Sequence, residues 1–88
     1  MKELIEKGTV VDVRSPQEFA GEHFPGAINI PFDQVPQKVD EIKEMPKPIV
    51  AYCRSGNRSG MAVSMLKQAG ITDAVNGGGL DDLLQQVK

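Results

Sequence analysis

The chain has 88 residues, ten basic and twelve acidic side chains, a net charge of −2 and a hydrophobic content of 40%. That length fits one domain, residues 1–88, with a thin core, and the charge balance gives no overall reason to bind nucleic acid or an anionic membrane, so any anion site must be local. A lone cysteine excludes an internal disulfide, and no stretch approaches a signal peptide or the ~20 apolar residues of a membrane span, which predicts a soluble protein in the reducing cytoplasm.

The first clear element is "TVVDV" (9–13), a β-branched run short enough to be a buried strand. "RSPQEFAG" (14–21) predicts a short helix, with Ser15 as N-cap, Pro16 at the first helical position, Glu18 completing a capping box and Gly21 at the end. "AINI" (27–30), between Gly26 and Pro31, is a second strand. Phe32, Val35, Val39 and Ile42 recur at spacings of three and four. A helix is predicted from near residue 35, because Pro36 is tolerated only in a first turn, and "PKP" (46–48) stops it. "IVAY" (49–52) is the third strand. Met61, Ala62, Met65, Leu66 and Ala69 form one stripe of a helix over 59–69, with Ser59 as N-cap and Gly70 as its close. "DAVN" (73–76) is a weak fourth strand and "GGG" (77–79) a loop. Leu80, Leu83, Leu84 and Val87 line a last helix, with Asp81 and Asp82 in the first turn, where the helix dipole favours them.

Alternating strands and helices with near-continuous apolar strands predict an α/β fold with a parallel sheet covered by helices on both faces. Sites in such sheets lie beyond the carboxyl ends of the strands, where Cys53 stands. A free thiol has a pKa near 8.5, and the thiolate is the nucleophile. The stretch after Cys53 supplies ways to favour that anion. A helix start points free N–H groups back at the loop, Gly56 lets the chain curl into a nest, and Arg54 and Arg58 add positive charge. Cys53 is therefore the candidate catalytic residue. Arg54, Ser55, Gly56, Asn57, Arg58 and Ser59 are the candidate substrate-binding set, with Ser55, Gly56 and Asn57 acting through their backbone.

The plainer alternatives are weighed residue by residue. A free cysteine is often a small buried hydrophobe, and loop arginines are often merely solvated. Asp12 is read as tying down a neighbouring loop, Arg14 as pairing with Glu18, and His23 as a loop fastener. Met61 and Met65 are core filler, no spacing suggests a zinc site, and "NGGGL" lacks the lysine of a phosphate-binding P-loop. Neither metal nor cofactor is implied.

"CRSGNRS" resembles the active-site loop of the rhodanese-type sulfurtransferases. "VVDVRSPQEFAGEHFPGAINIP" (10–31) is similar to that family's N-terminal stretch, and "NGGGLDDL" (76–83) to its C-terminal motif, although the family often has a tryptophan where Leu80 stands. The resemblance implies a reaction in two halves. Cys53 takes the outer sulfur of a donor such as thiosulfate as a persulfide, and cyanide or a thiol, small or carried by a protein, removes it. It also implies that Arg54 and Arg58 attract the donor's sulfonate end. Only "MKELIEKG" precedes "TVVDV", so four strands are expected rather than the family's usual five.

Two other readings compete. Dual-specificity phosphatases and arsenate reductases, related to the rhodaneses, have five residues between cysteine and arginine. Here four separate Cys53 from Arg58. One residue spans up to ~3.6 Å of chain, so the shorter loop suits a sulfur better than a phosphate. The other reading is a non-enzymatic sulfur carrier serving one protein partner.

Overall fold

The computed structural model describes residues 2–87. Four parallel strands form one sheet in the order β2-β1-β3-β4: β1 Thr9–Asp12, β2 Ile28–Asn29, β3 Ile49–Cys53 and β4 Ala74–Gly79. The helices are α1 Lys2–Lys7, α2 Pro16–Gly21, α3 Val39–Lys43, α4 Asn57–Gln68 and α5 Leu80–Gln86. Among the described residues no helix is long and apolar enough to cross a membrane.

Strand residues alternate between two cores, as a period of two requires. Val11, Val13, Ile49, Ala51 and Cys53 join Val35, Ile42, Ala62, Val63 and Leu66 on one face. Val10, Val50 and Tyr52 join Phe24, Leu80 and Leu83 on the other, with Leu4 and Ile5 of α1 packed against them. Helices therefore cover both faces. All five residues of β3 are buried, and each large aliphatic side chain so placed contributes roughly 1.5–3 kcal/mol. The central strand is thus a stiff support, and Cys53 is its last residue.

The capping box of α2 forms as the sequence predicts, with Glu18 N–H donating to Ser15 Oγ and Ser15 N–H to Glu18 Oε1. Other elements differ. Residues 2–7 form a helix that no signal announced. The segment Phe32–Lys38 is 3₁₀ and contains Pro36, so α-helix begins only at Val39. The second strand shortens to Ile28–Asn29.

Two differences bear on the site. Helix α4 starts at Asn57 rather than Ser59, and Gly56 is its N-cap, with φ of 98° and no side-chain cap. That left-handed turn is open to glycine without strain, and it starts the helix two residues early. Ser59 lies inside the first turn, and its hydroxyl is committed elsewhere. Strand β4 does not stop at Asn76 but runs through the three glycines. Ala51 pairs with Asn76 and Tyr52 with Gly78, so Gly77 is an extra residue in the ladder. A Cβ on Gly77 would lie 3.0 Å from Val50 Cγ1, and one on Gly79 would run into the Arg54 carbonyl oxygen. Glycines let this strand lie directly against β3 and the loop that follows it.

Candidate active site

Residues 53–59 curl from the end of β3 into α4. The Gly56 N–H donates to Cys53 Sγ at 3.0 Å, and Ser59 Oγ lies 3.5 Å from the same sulfur. Cys53 is only 1% exposed and belongs to the first core. Burial alone pushes a thiol up. Here hydrogen bonds from the Ser59 hydroxyl and from the amides of Ser59, Ser55 and Gly56 outweigh it, and the thiol is brought down to about 7. A cysteine that only filled space would show the burial without these donors. The plainer alternative, a small buried hydrophobe, accounts for the packing of Cys53 but not for the hydrogen bonds to its sulfur.

Asn76, on β4, organises the loop from outside. Its Nδ2 donates to the Gly56 carbonyl at 3.1 Å, and its Oδ1 accepts from Gly78 N–H at 2.9 Å and from Ser59 Oγ at 2.7 Å. The residue therefore holds both groups that face the sulfur. It heads the stretch "NGGGLDDL", which carried the resemblance without giving Asn76 a role. The available signal was a polar residue at the end of a strand, followed by glycines that let its backbone approach the loop.

The arginines behave differently from one another. Arg58 is forked onto Glu18, with Nη1 donating to Oε1 at 3.1 Å and Nη2 to Oε2 at 3.2 Å. The hydrogen bond from Arg58, then that from the Ser15 amide, pulls the Glu18 carboxyl down to about 2. Arg54 and Ser55 are exposed, as is Asn57 at the start of α4. Among the described residues Arg54 makes no ion pair.

Arg14 does not pair with Glu18, as its spacing suggested. It precedes the N-cap, so the i,i+4 geometry of a helix does not apply to it. Its Nε and Nη2 grip the carboxylate of Asp12 at 2.7–3.1 Å, and Nη2 also donates to the Glu22 carbonyl. Asp12 is fully buried and also accepts from Arg14 N–H and, at 2.7 Å, from the Tyr52 hydroxyl. Burial pushes Tyr52 up to about 12, so the phenol remains a donor. This hub ties the β1–α2 turn to β3. His23 stacks on Phe19 with ring centroids 3.9 Å apart, and its Nδ1 lies 2.9 Å from the Phe19 carbonyl oxygen.

The geometry is therefore a thiol at a strand end, held by loop amides at a helix start, with one paired arginine and one exposed arginine nearby. Comparison with known proteins gives it a family. The family model "Rhodanese-like domain" matches residues 1–85. The chain is 43% identical over 70 residues to "Uncharacterized protein YqhL" of Bacillus subtilis, covering 80% of this chain and 55% of that protein. It is 36% identical over 74 residues to "Thiosulfate sulfurtransferase PspE" of Escherichia coli, covering 83% and 71%. The chain thus spans about half the length of the first relative. The solved structure "rhodanese with anions from E. coli" superposes with a TM-score of 0.76 at 36% identity, covering 84% of this chain and 88% of that one. The match runs through the motifs at 10–31, 53–59 and 76–83 alike, and the chain belongs to the rhodanese-like sulfurtransferase family.

Proposed function

We propose that the chain moves sulfane sulfur through a persulfide on Cys53. The observation that carries this reading is the sulfur itself, buried yet facing loop amides that bring its pKa to about 7. About half of such thiols are ionised at neutral pH without a general base. The thiolate attacks the outer sulfur of a donor such as thiosulfate. A new S–S bond forms to Cys53, the donor's S–S bond breaks, and sulfite leaves with the electron pair. The amides of Ser55, Gly56 and Ser59 then hold the persulfide anion as they held the thiolate. Cyanide or a thiolate attacks the terminal sulfur, carries it away, and returns Cys53 to its starting state.

Arg54 and Arg58 place positive charge beside the loop, that of Arg58 shared with Glu18, and Asn57 sets the first turn of α4. No cofactor enters these steps, and the reaction requires a compartment, such as the cytoplasm, that keeps one unpaired thiol reduced.

The test is intact mass after incubation with thiosulfate. One added sulfur, lost in Cys53→Ser, is the expected result. No added sulfur at any donor concentration, or Cys53-dependent hydrolysis of an aryl phosphate in its place, would overturn the reading.

A further inference from the structure

A carboxylate already occupies the arginine that an anionic donor would seek. Glu18 takes both terminal nitrogens of Arg58, with 36% of the arginine and 31% of the glutamate side chain exposed. The Glu18 Oε1 is fixed from its own side as well, accepting from the N–H and the hydroxyl of Ser15, each at 3.1 Å. The capping box thus aims this carboxylate at the catalytic loop. Its low pKa, about 2, keeps it charged at every working pH. Arg58 is near enough to Cys53 for the two charges to interact.

The neighbouring charges do not restore the balance. Glu18 lines a cavity of about 240 Å³ together with Arg14, Glu22, Arg54 and Asp81. Arg14 is neutralised by Asp12, and Arg54 shares the cavity with the carboxylates of Glu18, Glu22 and Asp81. A site built to collect a dianion would leave its arginines uncompensated.

We infer that Glu18 is the specificity-determining residue of this site: by cancelling Arg58 it turns preference away from dianionic donors such as thiosulfate toward sulfane donors of lower charge. The inference rests on the sulfur-transfer reading above. An arylthiosulfonate is the matching monoanion. The Cys53 thiolate attacks its outer sulfur, the S–S bond to the sulfonyl sulfur breaks, and an arylsulfinate leaves with the electron pair. The chemistry is that of thiosulfate with one charge fewer.

The test is Glu18→Gln. Glutamine also serves a capping box, so α2 keeps its start. The amide nitrogen would meet Arg58 Nη2, a donor against a donor, and the fork would open. The ratio of kcat/KM for thiosulfate to that for benzenethiosulfonate is expected to rise about fivefold, the scale of one partly exposed ion pair. The ratio of Cys53 alkylation by iodoacetate to that by neutral iodoacetamide is expected to rise by the same factor, and this readout needs no sulfur transfer. The iodoacetamide rate alone should stay within about twofold. Unchanged ratios would overturn the inference, and so would equal changes in both alkylation rates, which would mark a loosened loop. A raised alkylation ratio with no sulfur uptake by either protein would overturn the sulfur-transfer reading on which the donor preference depends.

Discussion

Ser59 Oγ stands 3.5 Å from Cys53 Sγ while donating its single proton to Asn76 Oδ1 at 2.7 Å. Asn76 must accept there, because its Nδ2 is committed to the Gly56 carbonyl. Toward a neutral thiol, Ser59 therefore accepts. Toward a thiolate, the hydroxyl has to swing and donate. Ser59 Oγ can donate to the thiolate only by releasing Asn76 Oδ1. Ser59→Ala removes the donor, and the Cys53 pKa is expected to rise by about one unit, roughly 1.4 kcal/mol. The pH profile of iodoacetamide alkylation reads this directly, and an unshifted midpoint would refute the role.

The same sulfur links stability to pH. Its folded pKa, about 7, lies below the free-thiol value near 8.5. A depressed acid stabilises the fold above its unfolded pKa and loses that contribution as pH falls through the folded pKa. The window is therefore about pH 8.5 to 7, and a shift of about 1.5 units corresponds to about 2 kcal/mol. Urea unfolding of the wild type against Cys53→Ser should show the wild type gaining relative stability between pH 7 and pH 9. A difference independent of pH would contradict the assignment.

Asp12 serves the fold. It is fully buried and accepts from Arg14 and Tyr52. Asp12→Ala strands a buried guanidinium and a phenol, and is expected to cost about 3–5 kcal/mol. Tyr52→Phe leaves the Phe24 N–H, now bonded at 2.9 Å to the hydroxyl, without a partner, at about 1–3 kcal/mol. Both are read by urea denaturation. Tyr52→Phe should leave the alkylation profile of Cys53 unmoved.

Gly79→Ala places a methyl group on the Arg54 carbonyl oxygen. Overpacking against backbone cannot be relieved by a rotamer, and a loss of about 1–3 kcal/mol is expected. Because Arg54 begins the loop, sulfur uptake should fall more than stability alone explains at saturating folded protein. Normal uptake with a lowered melting temperature would show that the contact serves packing only.

What the sequence makes legible is local. The strands read at 9–13 and 49–52 form at 9–12 and 49–53, and the start of α2 follows from Ser15, Pro16 and Glu18. What it hides is long-range or double in role. Glu18 is accounted for in sequence by its capping box and by the expected pair with Arg14, so nothing nearby points to Arg58, forty residues away. Ser59 looks like an N-cap because serine so often is one, but Gly56 supplies a turn that needs no side chain. The glycines at 77–79 look like a loop because glycine weakens strands. They remain paired because side chains would collide with β3 and the loop. Asn76 shows no role in one dimension, since Gly56 and Ser59, the partners that matter, lie 20 and 17 residues before it.

The wall of the loop after Cys53 is not its own. The Arg54 carbonyl occupies the place of a Gly79 side chain, and a methyl on Gly56 would rest 3.4 Å from Gly78 Cα. The cradle is thus cast against a neighbouring backbone, like metal in a mould. A lineage that inserted one residue after Cys53 to admit a tetrahedral oxyanion would also have to re-cut that mould in β4. A one-residue insertion alone should press the loop into β4 and lower the melting temperature.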